Sequence, residues 1–154
     1  MHTLGLPALH RLAPAAPVIA RVVVGVIMAA HGWDKLQDGP AGFGQGLLAG
    51  LGIPAPEVVA WIVTVIELGG GIALIVGALS RLAALANVGV LIGAIVTVKA
   101  EAGLIAEEGV GYELDLALIA GLLVVALLGP GRPSIDHALG IERGRPSEPD
   151  APRA

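Results

Sequence analysis

Four apolar stretches, set apart by clusters of ionisable residues, restrict the fold of this chain more than any other feature of its sequence. They run from about Pro17 to Leu36, Glu57 to Leu79, Leu82 to Ala100 and Tyr112 to Leu128. Each has a length suited to one helical crossing of an about 30 Å hydrocarbon layer. Helix is the form that fits, because an open sheet edge in lipid would leave peptide groups unpaired at several kcal/mol each. The sequence therefore predicts an all-α integral membrane four-helix bundle over 17–136, preceded by a cytoplasmic segment 1–16. A disordered cytoplasmic tail, rich in Pro, Glu, Arg and Ser, is expected over 137–154. A cleaved signal peptide is the competing reading of the first stretch, with Arg11 ahead of the apolar run Val18 to Ala30. Arg21 interrupts that run, and Ile27 and Met28 stand where cleavage wants a small residue, so the span is expected to remain.

Composition agrees with a lipid environment, since 55% of residues are hydrophobic and only 14% charged, more apolar text than a soluble core of this size needs. The net charge of −4 leaves no basic footprint, which excludes nucleic acid as a partner. The absence of cysteine removes disulfides, iron–sulfur ligation and thiolate zinc sites. Nucleophilic catalysis is disfavoured too, because Ser80 and Ser134 lie at the opposite end from the other reactive groups.

Orientation follows from the basic residues. Arg11, Arg21, Arg81, Arg132, Arg143, Arg145 and Arg153 fall on one side of the four stretches, and only Lys35 and Lys99 on the other. The positive-inside rule then places both termini in the cytoplasm. The outer loop carries Phe43, Leu47 and Leu51 at i, i+4 and i+8, which suits a short segment lying in the interface. Pro56 and Glu57 suit a first helical turn, and Ser80 and Arg81 alone are expected to form the turn between the second and third spans. Small residues must bring helices together where hydrophobicity cannot. Gly25 and Ala29, Gly69, Ala73 and Gly77, Gly89 and Gly93, and Ala117 and Gly121 are read in that role.

The informative groups are ionisable residues in or near hydrocarbon, each of which needs a partner or a wet space. Glu67 lies ten residues beyond Glu57, roughly 15 Å along the axis and so near mid-membrane. Gly71, at i+4, is expected to open a small cavity beside its carboxylate. His31 and Lys35 share one face of the first span, Lys99 closes the third, and Glu113 and Asp115 open the fourth. Antiparallel threading thus gathers His31, Lys35, Glu67, Lys99 and Glu113 in the outer half as candidates for ligand binding or proton handling. Snorkelling to headgroups is the bland alternative for Lys35, Lys99 and Asp115, and a hydrogen-bonded structural acid the bland alternative for Glu67. No metal site is expected, since His31, Glu67 and Glu113 would have to converge to form one. Arg21, Arg81 and Arg132 are read as a cytoplasmic rim for anionic headgroups, with Asp136 available to pair with one of them.

HGWDKL at the end of the first span, GLGIPAP before the second, ELGGGIALIVGALSRLAAL across the second and third, Tyr112-Glu113, and GPGRPSID after the fourth stand in an order that resembles the DoxX family of small bacterial membrane proteins. The resemblance covers about Arg21 to Asp136. It implies a plasma-membrane protein with four helices, both termini inside, and polar positions matching Arg21, His31, Gly32, Lys35, Leu36, Glu67, Arg81, Glu113, Gly129, Arg132 and Asp136. Many members have a histidine where this chain has Lys99, which departs from the pattern. The family name is tied to a subunit of thiosulfate:quinone oxidoreductase, and some relatives to assemblies with superoxide dismutase and a sulfurtransferase. The resemblance thus implies a membrane subunit or anchor of a redox or oxidative-stress system, with redox-protein partners and a quinone as the implied cofactor. Two alternatives stay open: a proton-handling, quinone-reducing enzyme subunit, and a small transporter or channel acting as a homo-oligomer.

Overall fold

The computed structural model describes residues 11–106, 109 and 111–142; residues 1–10, most of the segment assigned to the N-terminus, lie outside it. The described residues form helices and no strand. A 3-10 turn at Ala13–Ala15 leads into α1, Ala16–Asp38. Gly39 breaks α1 with φ 84°, and a short α2, Pro40–Phe43, continues as a π-helical segment, Gly44–Leu48. Then come α3, Pro56–Val76, and α4, Ser80–Ala94, which passes into a second π-helical segment, Ile95–Lys99. The helix α5 covers Glu113–Leu128 and a final turn, α6, Ile135–Ala138.

Three of these helical runs, Ala13–Asp38, Pro56–Val76 and Ser80–Lys99, are long and apolar enough to cross a membrane. The fourth, α5, has 16 residues, about 24 Å of helix, and falls short of a full hydrocarbon layer. Pro56 and Glu57 do open α3, where a missing N–H costs nothing and the dipole favours a carboxylate. The α3–α4 turn lies earlier than the sequence suggested. It is built from Gly77 to Leu79, with φ of 74° at Gly77 and 47° at Leu79, and Ser80 and Arg81 already belong to α4.

α1 packs most extensively on α3 and α4 on α5, while contacts of α3 with α4 and of α1 with α5 close the ring. Val24, Met28, Leu74, Ala84, Leu91, Leu118, Leu122 and Val125 fill its centre. Large apolar side chains such as Ile19, Val65, Leu82, Val96 and Leu127 cover the outside, the reverse of a soluble protein's distribution. Glycine sets the closest approach. A methyl at Gly25, Gly32 or Gly71 would overlap the facing backbone, so α1 and α3 touch chain to chain. Gly71 is therefore closed by Ala29 and Gly25 and opens no cavity. Gly69, Gly89 and Gly93, read as packing residues, meet nothing.

Residues 137–142, expected to belong to a tail, stay folded against α4, where the Glu142 carboxylate accepts from Arg81. Residues 143–154 lie outside the described part of the chain.

Candidate functional site

The end of the ring formed by the last turns of α1, the first half of α3, the end of α4 and the start of α5 holds a cavity of about 770 Å³. That size is within the usual range for small-molecule sites. Its walls are mostly aliphatic. His31, Lys35, Glu67, Thr97, Lys99 and Asp115 are the polar side chains among its lining residues.

Four of these form two ion pairs. Lys35 Nζ donates to Glu67 Oε2 at 2.6 Å, and Lys99 Nζ to Asp115 Oδ2 at 2.6 Å. The acids are the deep members, with side chains 7% and 6% exposed, and the lysine side chains, at 21% and 25%, lie nearer the edge. That is the arrangement expected when a long flexible cation leans toward a fixed carboxylate while its stem stays in apolar surroundings. Each ammonium has three donors and, among the described residues, spends one on its carboxylate, which leaves donors for a guest. Lys35 also stands 5.5 Å from the Phe43 ring centre, a favourable cation–π distance.

Local structure explains why each pair forms. Gly32 lies against the Leu68 backbone, so Lys35, three residues on, is carried beside Glu67 on the neighbouring helix. Lys99 ends the second π-helical segment, whose wider turn shifts the side chains beyond it relative to a continuous α-helix. Asp115 lies on the buried stripe of α5, at i, i+3, i+7 and i+10 with Leu118, Leu122 and Val125. Each bridge therefore joins two neighbouring helices, α1 with α3 or α4 with α5.

Among the residues assigned to the site from sequence, Lys35, Glu67 and Lys99 are brought together here, and His31 lines the same cavity from an exposed position. Glu113 is not. It is exposed, outside the lining, with its carboxylate turned against Gly111. Asp115 takes its place, and the apolar stripe it shares was the available signal. The segment between α1 and α3 serves as a roof, contributing Phe43, Leu47 and Leu48 to the cavity. Among the described residues no group of three or more His, Asp or Glu is placed to hold a metal ion.

The opposite end corrects the expected headgroup rim. Arg21 is 3% exposed and donates to four backbone carbonyls: Pro130 at 2.8 Å, Leu74 at 2.9 Å, Ile75 at 2.7 Å, and Pro133. Burial inside this knot takes it away from lipid headgroups. Asp136, 2% exposed, forms no direct ion pair with an arginine among the described residues, although its charge reaches Arg21. Its oxygens accept from the Leu79 N–H at 2.6 Å and the Ser80 N–H at 2.8 Å, capping α4 and holding the left-handed Leu79 in place. Arg81 donates to Glu142 and to the Ala126 and Leu127 carbonyls, and Arg132 is exposed.

Residues 16–100, carrying Lys35, Glu67 and Lys99, match the family model described as DoxX. The chain belongs to the DoxX family. Similar DoxX-type proteins include an uncharacterized membrane protein of Mycobacterium tuberculosis, 31% identical over 140 residues, with 85% of each chain covered. Inner membrane protein YqjF of Escherichia coli is 29% identical over 85% of this chain and 97% of its own. A Bacillus subtilis protein named "Putative oxidoreductase CatD" is 32% identical over 73% of this chain and 78% of its own. No solved structure matches the chain significantly. With three apolar helices of crossing length, this DoxX chain is a multi-pass membrane protein.

Proposed function

We propose that this chain is a membrane subunit or anchor of a redox or oxidative-stress system, and that its cavity receives the head of a small molecule, a quinone by preference. In this reading α1, α3, α4 and the shorter α5 together cross the plasma membrane as a bundle, with both termini in the cytoplasm and the cavity in the outer half. One observation carries the proposal: two ion pairs share the wall of an otherwise mostly aliphatic cavity of about 770 Å³. Ion pairs serving structure alone would be expected to be packed on every side, because space next to a buried charge forfeits contacts without supplying hydration.

The residues fit a quinone head. Its carbonyl oxygens accept hydrogen bonds, and the Lys35 and Lys99 ammonium groups keep donors free for them. Aliphatic side chains from α3 and α4 would flank the ring. A bound quinone would supply the electron-accepting centre. The protein's part would be to orient the head, exclude water, and present the Lys35, Lys99 and His31 N–H groups from which protons could pass to the head's oxygens as it is reduced. Electrons would come from a partner protein, and the oxidoreductase name of the Bacillus relative agrees with that setting. Transport through the molecule is less well supported, because a route would have to pass the packed knot around Arg21.

The test is mass spectrometry of small molecules that co-purify in mild detergent, comparing wild type with Glu67→Gln. A quinone retained by the wild type and lost from a folded Glu67→Gln variant is the expected result. A wild-type preparation with no bound quinone, and no binding on addition of one, would overturn it.

A further inference from the structure

The cavity is bounded unevenly. Toward one end it is roofed by Phe43, Leu47, Leu48 and Ile53, and on the far side Met28, Leu91 and Leu118 are buried. Toward the other end α3 and α4 close on each other where the Asn87 amide lies against Gly70, bonding to the Ala83 carbonyl at 2.8 Å. Between roof and floor the edge shared by α3 and α4 behaves differently. Val63 and Ile66 on α3 are only partly buried, and Gly89 and Gly93 on α4 are exposed although both line the cavity.

Gly89 and Gly93 are one helical turn apart on the same face, and a Cβ built at either meets nothing within 4 Å. Neither packs against a neighbouring helix nor has a positive φ, the usual reasons for glycine inside a helix. Two interior glycines weaken α4 relative to alanine. Their local effect is to keep a gap between α3 and α4, leading from the outer surface of the apolar ring to the two ion pairs.

We propose that this gap is a lateral portal, through which an amphiphile dissolved in the bilayer seats an uncharged, oxygen-bearing head at Lys35 and Lys99 while its tail remains among the lipid chains. This rests on the reading of the cavity as a quinone-head site and adds the route and the requirement for a tail in the gap. Lipid is as apolar as the gap, so the tail loses nothing by staying outside. Binding energy then comes from the head, and the protein needs no enclosed groove for the tail.

The experiment uses the full chain in lipid nanodiscs and two probes, a benzoquinone with a decyl tail and the same quinone without it. Gly89→Leu/Gly93→Leu fills the gap from positions with open space around them. The tailed probe is expected to bind the variant about tenfold or more weakly, and the tail-less probe to bind within about twofold of wild type. Equal weakening of both probes, or no change in either, would overturn the portal while leaving the head site standing. Failure of wild type to bind either probe would instead remove the quinone-head reading beneath it. Should the double variant not fold, Gly93→Leu alone is read in the same way.

Discussion

The two ends of the molecule use buried charge in opposite ways. At the turn end, Arg21 and Asp136 are spent on peptide groups: four carbonyls for the guanidinium, two N–H groups for the carboxylate. Helix ends leave such groups unpaired, and in lipid no water can satisfy them. At the cavity end, Lys35, Glu67, Lys99 and Asp115 bond to one another beside open space. Burial of an ionisable residue in a membrane protein is thus no guide to function by itself. What separates a structural charge from a candidate site is whether its partners are backbone or other titrating side chains, and whether room is left beside them.

Substitution should separate the ends. The largest effect is expected from Arg21→Leu, which strips a partner from four carbonyls at once and should cost about 3 kcal/mol or more. It should show as a drop of several degrees or more in the unfolding midpoint in detergent; a midpoint within error of wild type would mean that the knot does not hold the turn end together. Glu67→Leu should cost less, about 1 kcal/mol, because the partly exposed Lys35 can swing to a wetter position. Its main consequence should be loss of quinone retention in a folded protein. A stability loss matching that of Arg21→Leu would erase the distinction drawn between the ends. The smallest perturbation comes from single cysteines on this cysteine-free background, at Ala106 and at Arg145, each expected to change stability by less than about 0.5 kcal/mol. An impermeant thiol reagent applied from outside should label the first and not the second. The reverse pattern would put the cavity on the cytoplasmic side.

Much of this arrangement was legible in the sequence, and the residues it misplaced share a cause. Helix positions followed from the apolar runs, because lipid imposes length and composition on each crossing segment. Lys35, Glu67 and Lys99 were legible because charge within or beside such a run is costly enough to be informative. Glu113 and Asp115 were not separable by position along the chain, since both open α5. Only the rotational phase of its buried stripe tells them apart. The roles of Arg21 and Asp136 are not legible in the sequence because their hydrogen-bond partners are backbone groups, which have no sequence signature. The glycines divided for a related reason: Gly32 and Gly71 weld α1 to α3 while Gly89 and Gly93 face open space, and composition is the same in both cases.

That weld has a mechanical consequence. Lys35 and Glu67 ride on helices whose backbones touch, and Lys99 and Asp115 on the other couple, so neither bridge crosses the cavity. The molecule resembles a clamshell whose two valves each carry a self-contained electrostatic latch, with the Gly77–Leu79 turn on the hinge side. At the cavity end, widening the seam between the valves breaks no ion pair among the described residues. Breathing of the cavity is thereby relieved of the electrostatic penalty that would hold it shut had Lys35 paired with Asp115 or Lys99 with Glu67.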